Sequence, residues 1–392
     1  MKFSHALLTL VGLTIAVAVI YVLFLLVPSP TLTYPSIGKN EGAPEVVAST
    51  PTPKPIPPPA THVKAPSAVK AIYMTSFVAG EKKWRARLVK TIEDTELNSL
   101  VVDIKDYSGK IAFTVDDPVL LTNGTFENRI PDVKEFIVDL HRKGIYVIGR
   151  IAVFQDPAFV KKFPEVAVRQ STDTTKVWAD RKGQTWIDAG SKQAWEFTVA
   201  LAKESYRMGF DEINFDYIRF PSDGDMENIY YPFSEGKDKA AVMKEFFAYL
   251  EQELSGIDVK TSADLFGMTT TNKDDLNIGQ ILEDALTHFD YVAPMVYPSH
   301  YPPNFIGIKN PAEKPYEVIK YSMDKAVARA STSQAVLRPW LQDFSLGATY
   351  TAALVKAQIQ AVYDSGLNSW MLWNAGNQYT QSALIHDAAG GE

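Results

Sequence analysis

Residues 209–221 have the sequence Gly-Phe-Asp-Glu-Ile-Asn-Phe-Asp-Tyr-Ile-Arg-Phe-Pro, and this stretch decides the fold. Asn214 and Asp216 alternate with apolar residues, which is the period of a strand with one apolar and one polar face. A carboxylate near the end of a core strand is costly to desolvate. Asp216 is therefore either a catalytic group or an acid that caps a loop or pairs with Arg219. The other strands of the chain decide between these alternatives.

Short apolar strands alternate with helical patterns from residue 69 onward. Eight strands are predicted, at residues 70–76, 99–106, 145–154, 211–220, 259–266, 290–297, 335–343 and 369–374. Helices are predicted at 131–143, 238–254 and 278–289, where apolar residues recur at three- and four-residue steps, and a short final helix from about Tyr379 to Ala389. Eight such units predict an α/β fold, a (β/α)8 TIM barrel, with a doubly wound open sheet as the alternative.

The composition excludes several classes of protein. The chain has 392 residues, of which 46% are hydrophobic, enough for a barrel plus extra segments. Its net charge of −7 argues against nucleic acid as a partner, because no basic surface is available to neutralise phosphates. It contains no cysteine, which excludes disulfides, thiolate nucleophiles and cysteine-based zinc sites.

The N-terminal part of the chain predicts a membrane anchor. Residues 6–27 form an uncharged run of 22 residues, long enough to span a bilayer. A cleaved signal peptide is the alternative, but no small-x-small cleavage site follows. Lys2 favours a cytoplasmic N-terminus for residues 1–5 and an extracytoplasmic remainder. Residues 28–66 hold 11 of the 24 prolines and are predicted to be an extended linker, with the barrel domain at 67–392.

Polar and aromatic side chains cluster at the carboxyl ends of the predicted strands, where barrel enzymes have their active sites. In strand order they are Asp103, Lys105, Arg150, Asn214, Asp216, Asp264, Tyr297, His300, Arg338, Trp340, Asp343, Trp373 and Asn374. Each has an ordinary structural explanation, such as an ion pair between Asp103 and Lys105, tryptophans in the core or a loop cap at Asp343. Their accumulation at so many strand ends favours one shared cleft.

Carboxylates, tryptophans and tyrosines in one cleft suit a sugar ligand, because aromatic rings bind the C–H faces of sugar rings and carboxylates match their hydroxyls. Glycoside hydrolysis needs two acids, or one when the substrate supplies its own nucleophile. The sequence has no Gly-x-x-x-x-Gly-Lys loop, Gly-x-Ser-x-Gly elbow or His-Glu-x-x-His pair. The segment 223–225, Asp-Gly-Asp, is better interpreted as an exposed turn than as a calcium site. We therefore expect no nucleotide, cofactor or metal.

These features resemble the bacterial "putative glycosyl hydrolase domain" family of unknown function, a TIM-barrel group. The resemblance covers about residues 69–388 and is carried, in order, by SLVVDIKDYSGKI, FDEINFDYIRFP, TSADLFG, YVAPMVYPSHY, LRPWLQDF and WMLWNAGN. It implies a glycoside hydrolase class but no particular substrate.

A more distant resemblance is to the chitinase-like barrels. Their Asp-Gly-x-Asp-x-Asp-x-Glu motif is similar to residues 211–218, their Met-x-Tyr to residues 295–297, and their last-strand tryptophan to Trp373. Ile218 occupies the position of the chitinase proton donor, and its side chain cannot donate a proton. Chitinase activity is therefore not implied, and any acid must be another residue.

The sequence predicts a membrane-anchored, extracytoplasmic glycoside hydrolase that acts on a cell-surface or wall polysaccharide. Asp216 and Asp264, on neighbouring strands, are the predicted catalytic carboxylates, with Asp103 and Asp343 in reserve. The side chains predicted to bind substrate are Asn214, Lys105, Arg150, Tyr297, His300, Arg338, Trp340, Trp373 and Asn374. The alternative is a non-catalytic, carbohydrate-binding barrel that anchors to or senses wall glycan, and the missing strand-four glutamate favours it.

Overall fold

The structure, a computed structural model, describes residues 61–385 and contains a closed barrel of parallel strands. The strands are β1 (Lys70–Met74), β2 (Ser99–Lys105), β3 (Tyr146–Ala152), β4 (Glu212–Asp216), β5 (Lys260–Phe266), β6 (Tyr291–Met295), β7 (Val336–Leu337), β8 (Trp340–Gln342) and β9 (Trp370–Trp373). Pairing of β1 with β9 and of β5 with β6 closes the sheet. The prediction of a TIM barrel is confirmed, and the open sheet is excluded.

Two short segments share the seventh strand position. Both β7 and β8 pair with β6, and β8 also pairs with β9, so the barrel has eight positions. Pro339 separates the two segments because it has no backbone N–H to donate to a ladder. The predicted single strand at 335–343 is therefore interrupted at its centre.

Helices form the outer layer. They are α1 (Ser76–Gly80), α2 (Lys82–Glu93), α3 (Pro118–Asn123), α4 (Val133–Arg142), α5 (Pro157–Lys162), α6 (Lys192–Met208), α7 (Lys239–Leu254), α8 (Leu282–His288), α9 (Pro315–Arg329) and α10 (Ala352–Asp364). The three predicted helical stretches correspond to α4, α7 and α8 within four residues at each end. The final helix predicted at 379–389 is wrong within the described residues: only a 3-10 turn, Gln381–Ala383, is present, and residues 386–389 lie outside them.

The stretch that decides the fold begins with the residue that caps α6 and contains all of β4. Gly209 ends α6 in the left-handed conformation (φ 114°), which costs glycine little because it has no Cβ. In β4 the apolar side chains of Ile213 and Phe215 join the core between sheet and helices, while Asn214 and Asp216 point into the barrel. The alternation predicted from the sequence therefore brings the polar side chains to the barrel axis.

The amino end of the barrel is filled by a buried ion pair and by residues before β1. Arg338 donates to Glu212, and both side chains are fully buried. Val63 packs against the apolar cluster inside the barrel, and its N–H donates to Asp211 at 2.8 Å. His62 stacks on Tyr206 with ring centres 4.0 Å apart. The last residues of the predicted linker are thus part of the barrel domain.

The predictions for residues 1–5, 6–27 and most of 28–66 lie outside the described residues. Within residues 61–385, no helix is both long and apolar enough to cross a membrane.

Candidate active site

An arginine at the carboxyl end of β3 holds two carboxylates together. Arg150 donates from Nη1 to Oδ1 of Asp103 at 2.7 Å and from Nη2 to Oδ2 of Asp216 at 2.5 Å. The register explains this contact, since the end of β3 lies beside the ends of both β2 and β4. Burial is the largest single influence on the pKa of Arg150 and lowers it, but the charges of Asp216 and Asp103 together outweigh burial, so the pKa is raised well above its ordinary value. The guanidinium therefore stays charged.

Asp103 is held on its other side by a residue of β1. The Tyr73 hydroxyl donates to Oδ2 of Asp103 at 2.5 Å. Burial raises the pKa of Asp103, while Arg150 and the Tyr73 hydroxyl oppose that effect. Both of its oxygens are engaged and the residue is almost fully buried. Asp103 therefore supports Arg150 and has no oxygen left for a substrate.

A third carboxylate, Asp264 on β5, lies beside this network. Its Oδ1 accepts hydrogen bonds from Asn214 Nδ2 and Trp340 Nε1, both at 2.8 Å. No described residue donates to Oδ2, and this oxygen is not sealed from solvent, although the residue is only 1% exposed. Burial first, and the charge of Asp216 second, raise the pKa of Asp264 to about 8. Asp264 therefore holds a proton at neutral pH and has one oxygen available to deliver it.

Tyr297, just after β6, belongs to the cluster inside the barrel and lies near enough to the two acids for their charges to act on it. Burial first, and then the charges of Asp264 and Asp216, raise its pKa well above the ordinary value. No described residue makes a hydrogen bond to its hydroxyl, which is not sealed from solvent. A neutral hydroxyl beside the acids suits it to donate a hydrogen bond to a sugar oxygen.

An aromatic surface borders the acids on the side of β9. Trp373 stacks on Tyr73 with ring centres 4.0 Å apart, and the guanidinium carbon of Arg150 lies 5.1 Å from the centre of its ring. Trp340 meets Trp373 edge to face at 5.5 Å. Trp373 is partly exposed whereas Trp340 is fully buried, so only Trp373 offers a ring to a sugar.

The residue that follows Asp216 adopts a strained backbone. Tyr217 has φ 53°, a left-handed conformation that costs a residue with a Cβ roughly 1–2 kcal/mol. Its N–H donates to Oδ1 of Asp216 at 2.6 Å. Such strain persists where the surroundings impose it, often at functional sites. Here it ends β4 and fixes the carboxylate that Arg150 also holds.

Two predicted substrate-binding residues lie away from the mouth of the barrel. A register shift between Asp103 and Lys105 places Lys105 in the outer layer, where it pairs with Asp156 at 2.5 Å. Arg338 shares a strand face with Trp340 but lies two residues closer to the amino end, where it pairs with Glu212. The structure therefore does not bring either residue to the mouth, because Lys105 is on the other face of its strand and Arg338 lies one layer deeper.

Two further predictions fall on residues that shape a loop. Asp343 accepts hydrogen bonds from the Thr380 N–H (2.8 Å) and from its hydroxyl (2.7 Å). Asn374 donates to the carbonyl of Asp343 and accepts from the Gly376 N–H. The polar groups of Asp343 and Asn374 thus make hydrogen bonds within the loop after β9.

Asn214 and Trp340 are at the site, but in supporting roles. Both are fully buried and donate to Asp264, so they orient an acid and have no surface for a substrate. His300 lies at the rim, with its ring centre 5.3 Å from that of Tyr297. Of the predicted set, the structure brings together Asp264 and Tyr297, each with an oxygen that no described residue uses, and the open face of Trp373. Asp216 lies beside them with both oxygens engaged, Oδ2 by Arg150 and Oδ1 by the Tyr217 N–H. His300 is at the rim.

Sequence reasoning missed Tyr73, Tyr217 and Glu212. Tyr73 lies two positions after Ala71 and shares its inward face, so the alternation within β1 contains a signal for it. Glu212 precedes Asn214 by two positions and is found by the same rule. No sequence feature indicates the left-handed backbone of Tyr217, because the residue is not glycine.

A cleft of about 790 Å³ lies at the opposite end of the barrel, around the first residues of β5, β6 and β7. Its ionisable side chains pair with one another: His288 with Glu251, Arg329 with Glu283 and Lys260 with Asp290. Their charges are balanced locally, and barrel enzymes do not place their chemistry at this end. No group of three metal-binding side chains occurs within residues 61–385.

A family model described as "Putative glycosyl hydrolase domain" matches residues 71–379. The chain belongs to this family. Membership confirms the resemblance found in the sequence and the class of enzyme expected from it, a glycosyl hydrolase. A comparison with curated proteins gives no match.

Solved structures resemble this member of the family over much of the barrel. The glycoside hydrolase domain of PgaB (BpsB) from Bordetella bronchiseptica has a TM-score of 0.59 and 14% identity, over 78% of this chain and 94% of that one. A hypothetical protein from Ruminiclostridium thermocellum is 34% identical over 49% of this chain and 96% of its own, with a TM-score of 0.45. The first of these likenesses supports the barrel fold.

Proposed function

We propose that this family member is a membrane-anchored, extracytoplasmic glycoside hydrolase that acts on a cell-surface or wall polysaccharide. One observation carries the proposal: an aspartate paired with an arginine and a second aspartate without a cation lie in the same mouth. Asp216 is the charged partner of Arg150, and Asp264 has a pKa raised to about 8. Glycoside hydrolysis needs this combination of an acid and a carboxylate.

The geometry favours Asp264 as the proton donor. Its Oδ2 is unengaged, so a proton on that atom is available to the oxygen of a glycosidic bond. As that bond breaks, positive charge develops on the sugar ring, and the negative charge of Asp216 stabilises it. Tyr297 and the ring of Trp373 supply a hydroxyl and an apolar face for the same sugar.

The position of the enzyme outside the membrane is supported by the sequence alone. The 22 uncharged residues at 6–27 are long enough to span a bilayer, and the proline-rich segment after them suits a spacer. An enzyme held by such an anchor meets polysaccharide at the cell surface.

A non-catalytic carbohydrate-binding barrel is the second candidate, and a specific observation favours it. Ile218 occupies the position of the chitinase acid, and its side chain is fully buried. The acids at the mouth are also nearly buried, with Asp216 the most exposed at 6%. A binding barrel keeps the aromatic and polar contacts but transfers no proton.

The test is a screen of the full-length chain in detergent against purified wall and capsular polysaccharides, with new reducing ends as the measurement. Hydrolase function predicts turnover by the unmutated protein and its loss in Asp216→Asn and in Asp264→Asn. Asp94→Asn, at an exposed helix end where it pairs with Lys90, is the matched control and keeps full turnover. Binding without new reducing ends across the panel would instead support the binding barrel.

A further inference from the structure

Arg219 differs from the other buried arginines of the described chain. Arg150, Arg219 and Arg338 are the three arginines whose residues are buried. Arg150 pairs with two aspartates and Arg338 with Glu212. Within residues 61–385, no carboxylate lies within ion-pairing distance of Arg219. A buried cation without an anion is costly, so its retention calls for an explanation.

Part of the guanidinium of Arg219 is unused. Nη1 donates to the Phe220 carbonyl at 3.0 Å and to the Ser222 hydroxyl at 3.1 Å. No described residue accepts from Nε or Nη2, and neither nitrogen is sealed from solvent, although the residue is only 8% exposed. These two nitrogens form one edge of the guanidinium. Burial is the largest influence on the pKa of Arg219 and lowers it. Neighbouring charges raise the pKa but offset only part of the effect of burial.

Aromatic rings enclose the group. Its central carbon lies 4.8 Å from the ring centre of Trp186, 5.3 Å from that of Tyr217 and 4.6 Å from that of Phe266. At these distances the rings attract the guanidinium by cation–π interaction and hold it in place. The nearby carboxylate of Asp180 is not available to it, because its oxygens accept N–H groups of Lys182, Gln184 and Trp186.

The enclosed guanidinium lies beside the candidate active site. Tyr217 directly follows Asp216, and Phe266 lies two residues after Asp264 on β5. Tyr217 and Phe266 are both partly exposed, so they border the same mouth. A glycan bound at the two acids therefore places its neighbouring sugar near Arg219.

We propose that Arg219 is the binding site for a carboxylate carried by the glycan, on a sugar next to the one that is cleaved. This inference rests on the proposed function and names the class of substrate. The free edge of Nε and Nη2 matches the two oxygens of a carboxylate in a bidentate contact. The fixed aromatic walls mean that the guanidinium is already oriented before the sugar arrives.

Two kinds of sugar supply such a group: a uronic acid, with its carboxylate on the ring, and a muramic acid, with its carboxylate on a lactyl ether. The experiment uses two tetrasaccharides, one from hyaluronan and one from a peptidoglycan strand without peptides. Each is compared with a form of the same tetrasaccharide in which the carboxyl groups are reduced. Dissociation constants are measured by calorimetry with the full-length chain in detergent. An Asp216→Asn background keeps the bound glycan intact.

The expected result is that at least one carboxylated glycan binds ~10-fold or more tightly than its reduced form, as one charged bidentate contact supplies. Adding Arg219→Met brings the ratio of the two constants to about one, and Arg219→Lys keeps part of it. The ratio is the readout because a general structural effect weakens both members of a pair. If only one tetrasaccharide binds more tightly than its reduced form, that tetrasaccharide shows whether the carboxylate belongs to a uronic acid or to a muramic acid.

Each of the following results would overturn the inference. If the parent binds charged and reduced forms equally, Arg219 does not recognise a carboxylate, while hydrolysis of either form leaves the proposed function intact. If discrimination persists in Arg219→Met, another residue is responsible. Failure to bind any glycan, charged or neutral, removes the proposed function and this inference with it. Should Arg219→Met not fold, an undiminished ratio in Arg219→Lys contradicts the bidentate contact.

Discussion

Replacement of Asp264 by asparagine should stabilise the barrel while removing its activity. Asparagine keeps the shape of the protonated acid and can accept the same hydrogen bonds from Asn214 and Trp340. It removes the need to hold a proton inside the barrel. Active-site residues often lower the stability of the fold while being required for activity.

The sign and size of the change in the free energy of unfolding follow from the raised pKa of Asp264. Its ordinary value is 3.8 and burial, with the charge of Asp216, raises it to about 8. The folded state therefore holds the proton to higher pH than the unfolded chain does. The stabilising contribution is full below pH about 4 and is lost as pH rises through about 8. Each tenfold difference in proton affinity is worth ~1.4 kcal/mol, so Asp264→Asn should gain on the order of 2–4 kcal/mol at pH 7.

The assay is urea unfolding of the compact unit Pro58–Glu392 at pH 5, 7 and 9. The free energy of unfolding of the parent should fall across this series, and that of Asp264→Asn should be nearly flat over the same range. Asp216→Asn is the matched control, since the same change there weakens an ion pair with Arg150 and should cost ~1–3 kcal/mol. Equal or lower stability of Asp264→Asn at pH 7 would refute the assignment of the proton.

Three more outcomes are expected. The value of kcat/KM should fall as pH rises past about 8, because Asp264 loses the proton that it donates; a profile that is flat to pH 10 removes it as the acid. Tyr297→Phe should lower kcat/KM about 10-fold with less than ~1 kcal/mol change in stability, since its hydroxyl has no partner among the described residues; unchanged kinetics would exclude its contact with the sugar. Protease added to intact cells should release the barrel by cutting within 28–60, whereas a mature chain that begins after residue 27 in the medium would show residues 6–27 to be a cleaved signal peptide.

Much of the barrel was predictable because its signal is local. The alternation in β4 correctly assigned Asn214 and Asp216 to the inward face, since a strand has only two faces and one carries the apolar side chains. The same rule failed at Lys105, where a register shift exchanges the faces after Asp103. Such an irregularity depends on the neighbouring strand, so β2 alone gives no indication of it.

The roles of the site residues were less predictable than their positions. The alternation along a strand indicates which face a residue occupies but not how far along the barrel axis it lies. Arg338 and Trp340 were therefore predicted to be equivalent, although Arg338 lies at the amino end of the barrel and Trp340 lies beside Asp264. The alternation also does not indicate which polar atoms already have hydrogen-bond partners. Asp343 is at the correct end of the barrel, yet Thr380 takes both of its oxygens.

The balance of charge inside the barrel links these observations. Among the described residues that point inward, four acids stand against two arginines: Arg338 balances Glu212, and Arg150 is shared by Asp103 and Asp216. Asp264 has no cation within ion-pairing distance in the described chain. Ionising it would bring another negative charge to the pair already held by Arg150, at a residue so little exposed that water compensates only weakly. Because no cation is close enough to neutralise an ionised Asp264, the residue keeps its proton. The same lack of a cation therefore provides the proton donor of the candidate active site.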